Sequence, residues 1–368
     1  MLSDRFVGGR SVGTMENKEL VKPHKGTVKT IEGKNGDVID CVNIYQQPAF
    51  NHPLLKNHTI QMESGSIPNV RNEELHNVEL FQDWHENGEC PTRTIPIRRL
   101  RADEHYAPHG TTPSVAAETD NSNGYEFAGG IIRDGHFYGA HASLNVWSPA
   151  LNDGFLSASQ VWLISGSSPE QNRIEVGWQV ASPSKEPKLY ISWTRDAYKS
   201  TGCSDLNCPG FVQTSNKIAL GSIIKPSSSY NGKQFEIGIT IYKSYGDWYL
   251  KVKNEVLGYW PMSLFTHLSH SAETVFYGGM IFNAKLNNHH TSTHMGSGHF
   301  PSEGHGKASY VRSIQYMDGH GKFKDANGKL EIDVTNPSCY DVNVVNNNNI
   351  VYGSHLYFGG PGYSEKCP

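Results

Sequence analysis

The stretch NRIEVGWQV, residues 172–180, sets a single acid inside a run that alternates like a strand. Side chains of an extended chain point to opposite faces in turn. Ile174, Val176, Trp178 and Val180 therefore share one face, and Arg173, Glu175, Gly177 and Gln179 share the other. A carboxylate placed this way has two readings. It is a solvated charge on an edge strand, or it is half of a catalytic pair of acids. The flanking runs point to a groove. In SASQVWLIS, Gln160 and Trp162 fall on one face, and in KLYISWT so do Tyr190, Ser192 and Thr194. Acid, amide, phenol and indole together suit a surface that grips a peptide or a sugar.

A second candidate is the segment NNHHTSTHMGSGHFPSEGHG, with five histidines between 289 and 305. His290 and His294 have the i, i+4 spacing of a helical ligand pair. Gly, Ser and Pro surround them, however, and no HExxH occurs, so no metal site and no cofactor is expected. Its glycines read as a tight loop that approaches something closely. The absence of a GxSxG elbow and of a phosphate loop sets aside serine-hydrolase and nucleotide chemistry.

The elements that must position these residues are strands. The 368-residue chain is 37% hydrophobic and 18% charged, with 37 glycines and 18 tyrosines, a balance that suits strands and turns. Strand-like runs follow one another from HFYGAHASLNVW through SASQVWLISG, RIEVGWQVA, KLYISWTRD, KIALGSII, FEIGITIYK, WYLKVKN, TVFYGGMIF and YVRSIQYMD to LYFGG. Turn clusters such as SGSSPEQN and KPSSSYNGK separate them. The pattern predicts an all-β fold, an antiparallel β-sandwich or a relative of one. WPMSLFTHLSHSAETV, residues 260–275, is the one stretch spaced for a short helix.

Three zones divide the chain. Residues 1–26 are polar and read as poorly ordered. Residues 27–104 alternate short apolar pieces with prolines and end in the basic patch IPIRRLRADEH, read either as an exposed processing site or as a solvated linker. A Gly/Ser/Thr/Asn-rich linker then opens the long zone 105–368. A net charge of −4 argues against a nucleic-acid partner, and no apolar run approaches the length of a membrane span, so neither nucleic acid nor membrane is an expected partner. Six cysteines, none in a zinc spacing, read as disulfides of an oxidising compartment. One pairing that fits is Cys41–Cys90, Cys203–Cys208 and Cys339–Cys367, and spacing alone leaves the connectivity open. Asn57, in NHT, is a glycosylation sequon. MLSDRFVGGRSVGTMENKEL lacks the shape of a signal peptide, so the expectation is a true start upstream of Met1.

Several long motifs, in order, resemble the plant neprosin family. They are SQVWLISG, IEVGWQV, YISWTRDAYKSTGCSDLNCPGFVQTSNKIALGSII, GYWP, HTSTHMGSGHFPSEGHGKASYVRSIQ, CYDV and YFGGPG. TIEGKNGDVIDCVNIYQQPAFNHPLLKNHTIQM resembles that family's activation peptide, which makes 27–104 a pro-domain and 105–368 the peptidase domain. The resemblance implies a secreted glutamic endopeptidase of apoplast or vacuole, cleaving after proline in acid. It implies a zymogen on a sandwich of two curved sheets, inhibited by its own N-terminal segment. The first family glutamate falls on Glu175. The second does not carry over: VFYGGMIF has Phe276 and Met280 where the family motif has acids. Glu273, three residues before Phe276, belongs to the opposite strand face. Gln160 or Gln179 is the residue left to polarise a carbonyl beside Glu175. The competing reading is a catalytically silent binder, in which Trp178, Tyr190, Trp193 and Tyr277 hold proline-rich wall proteins or glycans.

Overall fold

Alternating runs rich in Val, Ile, Tyr and Trp become strands when two layers can bury the apolar half of each run. A computed structural model describes residues 20–70, 81–101, 104, 124–152, 155–283, 289–345 and 351–368. Most of the 1–26 zone and most of the linker after residue 104 lie outside the described residues. The rest is all-β, with every strand pair antiparallel.

A small N-terminal sheet comprises β1 (Thr27–Glu32), β2 (Val38–Asn43) and β3 (Thr94–Arg98), with a Cys41–Cys90 disulfide beside it. The first layer of the main body runs β17 (Glu331–Val334), β4 (Tyr125–Ile132), β14 (Thr274–Phe282), β6 (Leu156–Ser165), β7 (Asn172–Ala181), β8 (Lys188–Thr194) and β9 (Cys203–Ser204). The second runs β10 (Val212–Gln213), β13 (Glu255–Trp260), β12 (Asp247–Val252), β11 (Glu236–Ser244), β5 (Gly139–Asn145), β15 (Ser309–Met317), β19 (His355–Gly359) and β18 (Asp341–Val345), with β16 (Phe323–Asp325) beside β15. Cys203–Cys208 and Cys339–Cys367 close further links. Among the described residues no helix is long and apolar enough to cross a membrane.

One core fills the space between the layers. Val176, Ile191 and Val275 from the first sheet join Leu144, Ile239 and Val311 from the second. Trp178, Trp193 and Tyr277 belong to it, which corrects their placement in a groove. Strand parity decides the matter: Trp178 follows Ile174 and Val176 inward, and its indole N–H donates to the Asn145 carbonyl at 3.0 Å. The Tyr277 hydroxyl donates to the Gln315 carbonyl at 2.8 Å, and Trp193 lies edge-on to Phe265. Trp178→Ala is therefore expected to cost about 3–5 kcal/mol of folding stability, measured by chemical denaturation, where a groove residue would cost little.

Two segments depart from the strand-and-helix expectation. Residues 260–275 form only a 3-10 turn, Met262–Leu264, before β14. The Asn172 side chain takes the N–H groups of His267 (2.7 Å) and Leu268 (3.1 Å), which a helix would have needed for itself. KIALGSII stays outside the sheets because the N-terminal unit docks there. Leu220 bridges Ile97, and the buried Gln82 amide pairs with both the N–H and the carbonyl of Ala219. Gln47 does the same at Gln213. Asn57 is exposed in a turn of that unit.

Candidate active site

The face of the first sheet turned away from the core carries the polar residues. Register fixes their neighbours. Glu175 lies level with Trp162 on β6 and Ser192 on β8, and Gly177 with Gln160 and Tyr190. Ala158 lies level with both Gln179 and Met280. A side chain at 177 would collide with the Ser159 carbonyl, so glycine there lets the strands and their larger neighbours close up.

Glu175 is only 3% exposed. Its Oε1 accepts from the Tyr198 hydroxyl at 2.9 Å and from Arg173 Nη1 at 3.3 Å. Among the described residues nothing bonds Oε2, so one oxygen is held and the other is available to the pocket. Burial pushes the Glu175 carboxyl above its ordinary value, against the pull of Arg173 and Tyr198. Arg173 is fully buried. Its Nη2 donates to Gln171 Oε1 at 2.7 Å, and its guanidinium lies 4.6 Å over the Trp162 ring.

Tyr198 comes from outside the strands. Ala197 and Tyr198 both adopt left-handed backbone, φ 52° and 62°, a strained arrangement for residues with a side chain. Asp196 holds the turn by accepting from the N–H groups of Ser200 (2.9 Å) and Thr201 (3.0 Å). Burial works to raise that carboxyl, but Ser200 and Thr201 hold it down at about 2. Sequence reasoning did not single out Tyr198; the signal was the Asp-x-Tyr-x-Ser-Thr-Gly turn directly after β8. The Ser192 hydroxyl lies 3.0 Å from the same phenol oxygen.

The residues expected to stand beside Glu175 are present, but no second acid is bonded to it among the described residues. The Tyr190 hydroxyl donates to Gln160 Oε1, and Gln160 Nε2 points at the Met280 sulfur, 3.6 Å away. A thioether is a weak acceptor, so this amide N–H is poorly satisfied. Met280 lines the same pocket as Glu175, Gln179 and Tyr190. Phe276 is packed among Phe127 and Trp162. Glu273 is elsewhere: its Oε2 accepts from the Gly166 N–H at 2.8 Å in a separate cleft with His267 and Glu170.

The pocket is partly occupied from the N-terminal side. Glu104 sits between Arg98 of β3, at 3.1 and 2.7 Å, and Lys188 of β8, at 2.9 Å. Burial works to raise the Glu104 carboxyl, but Arg98 and Lys188 hold it at about 2. The folded value lies below the unfolded one. The ion pairs are thus complete above the ordinary carboxylate range and are lost only as pH falls through about 2. Acidification to about pH 4 is therefore expected to leave the segment seated, with hydrogen exchange at 188–192 unchanged after correction for intrinsic rate.

The histidine segment builds structure. His290 Nε2 meets both oxygens of the buried Glu126, at 2.9 and 3.0 Å, and His299 pairs with Glu303. His290, Cys339 and Cys367 bring ligand atoms within 4.8 Å of one another, but the two sulfurs are bonded together as a disulfide.

Among solved structures, scytalido-glutamic peptidase with a transition-state analogue inhibitor is 11% identical, covering 63% of this chain and 97% of that one, with a TM-score of 0.37. SCP-B, an eqolisin-family peptidase in complex with the tripeptide Ala-Ile-His, is 10% identical, covering 63% and 96%, with a TM-score of 0.35. At that distance neither says anything of this chain's chemistry. The neprosin activation peptide model matches residues 30–128. The Neprosin model matches residues 153–361, more than half of the chain and the stretch that holds Glu175, Gln160, Met280 and the histidine segment; the chain belongs to the neprosin family.

Proposed function

We propose that the chain is the zymogen of a secreted glutamic endopeptidase that cleaves after proline in acid, with Glu175 as its one catalytic carboxylate. The observation that carries this reading is the division of labour on that carboxylate: Oε1 is tied to Tyr198 and Arg173, and Oε2 is left for a water. Glu175 Oε2 takes a proton from water as the water oxygen bonds to the scissile carbonyl carbon. The Gln160 amide donates to the oxygen that becomes negative. Glu175 then returns its proton to the leaving nitrogen as the C–N bond breaks, so that one group serves as base and then as acid. Turnover needs Glu175 ionised, and burial moves its onset upward from the ordinary carboxylate range. Residues 27–104 act as the activation peptide and 105–368 as the peptidase domain, with Glu104 holding the pocket shut until the chain is processed at the end of the basic patch IPIRRLRADEH, beyond Glu104. The three disulfides support an oxidising compartment outside the cytosol, apoplast or vacuole, and exposure of Asn57 suits glycosylation there.

A second reading, a silent binder of proline-rich proteins or glycans, is favoured by one observation: Met280 stands over the Gln160 amide where a substrate carbonyl would have to approach. Cleavage of a proline-containing peptide at acid pH by the processed chain, lost in Glu175→Gln, decides between them. Tight binding of that peptide with no product at any pH would establish the binder.

A further inference from the structure

The pocket holds a cation for which the proposed chemistry has no use. Lys188 opens β8 on the same face as Tyr190 and Ser192, level with Gln179, and its side chain is only 14% exposed. The charged groups that act on it most strongly are Arg98, Glu104 and Asp37, all from the N-terminal part of the chain. Asp205 lines the same pocket, but its Oδ1 accepts the Ile191 N–H. Among the described residues beyond 123, no acid is paired with Lys188. A half-buried ammonium without a counter-charge is costly, and a carboxylate at hydrogen-bond distance is the group that relieves it. Glu104 supplies that group now.

We propose that Lys188 makes this pocket a carboxylate subsite, that Glu104 is its built-in occupant, and that the peptides taken after the segment leaves carry an acidic group here. The inference rests on reading the groove as a peptide site, but it concerns which peptide fits and not whether one is cut. The chemistry shared by all such ligands is a carboxylate beside an extended backbone, either an Asp or Glu side chain or a free C-terminus. The competing explanation is that Lys188 and Glu104 merely fasten the segment to the body, with no counterpart in a substrate.

Binding to the full chain separates these. Glu104→Gln removes the occupant's charge while keeping its size. The probes are a short proline-containing peptide with one glutamate, blocked at both ends, its glutamine twin, and the glutamine twin with a free C-terminal carboxylate. Glu104→Gln is expected to bind the glutamate peptide about tenfold more tightly than the blocked glutamine twin. The difference should disappear in Glu104→Gln/Lys188→Met and persist in Glu104→Gln/Lys188→Arg, which also checks that the pocket still forms. A preference for the free C-terminus over the glutamate peptide, with the same dependence on Lys188, assigns the subsite to the α-carboxylate. Equal affinity for all three peptides, no detectable binding at millimolar concentration, or discrimination that survives Lys188→Met overturns the proposal. Because the readout is binding, loss of cleavage in Glu175→Gln leaves the result intact.

Discussion

Replacing Met280 with glutamate is expected to raise proline-peptide cleavage at acid pH by about a hundredfold and to turn a one-limbed pH profile into a bell. Met280 is 3% exposed, lines the pocket with Glu175, and receives the Gln160 N–H. A carboxyl in that position, buried and facing another acid, would be held protonated well above the ordinary carboxylate range. That is the state a second acid needs in order to polarise the scissile carbonyl while Glu175 serves as base. The wild-type chain has only the amide there, which does not titrate. Its rate should therefore rise as Glu175 ionises and then stay level, whereas the variant should fall again once the new acid loses its proton. Phe276, the other position where the family motif has an acid, is the wrong place to attempt this, because its ring is fully buried against Phe127 and Trp162. Met280→Ala is the necessary control. If alanine raises the rate as much as glutamate does, uncovering the Gln160 amide is the whole effect. A folded Met280→Glu protein with no gain at any pH removes the acid-pair argument altogether.

Much of this site was legible from period-two alternation, and the parts that were not share a physical reason. Glu175, Gln160, Gln179 and Tyr190 were placed on one face by strand parity, and register then brought them level. The aromatic residues Trp178, Trp193 and Tyr277 were assigned by chemical type against that same parity, and they lie in the core. Tyr125–Ile132, a strand in the structure, lies at and just beyond the end of the linker and ahead of the first strand-like run the sequence offers, HFYGAHASLNVW, and it contains the Gly129–Gly130 pair. At Gly129 a Cβ would strike the Tyr277 carbonyl and the Phe276 ring, so a residue that normally weakens a strand is what lets β4 approach β14. Tyr198 reaches Glu175 from a turn with left-handed backbone, and Glu104 reaches the pocket from beyond β3. Neither position follows from any periodicity. Contacts of this kind depend on how separate elements are assembled, which one-dimensional spacing does not encode.

Glu175→Gln is expected to abolish cleavage and, at neutral pH, to make the protein more stable. Removing the carboxylate that takes the water's proton and returns it to the leaving nitrogen should lower the rate by about a thousandfold or more, because both steps run through that one group. The stability effect follows from burial. The folded Glu175 carboxyl ionises at higher pH than in the unfolded chain, because burial outweighs the help of Arg173 and Tyr198. The folded state therefore binds the proton more tightly, and its contribution is complete below the unfolded value and is lost as pH rises through the folded one. Glutamine imitates the protonated acid: it keeps an oxygen for Tyr198 and Arg173 to donate to and never pays the penalty of ionising in a buried site. Relative to the wild type, the variant should gain about 1.4 kcal/mol for each pH unit by which burial lifts Glu175. That gain should be absent below the unfolded carboxylate range and complete above the folded value. Denaturation curves of both proteins at acid and neutral pH test this directly. If the two proteins differ by a constant amount across that range, Glu175 does not titrate in a buried pocket, and the assignment of a poised base to this position falls with it.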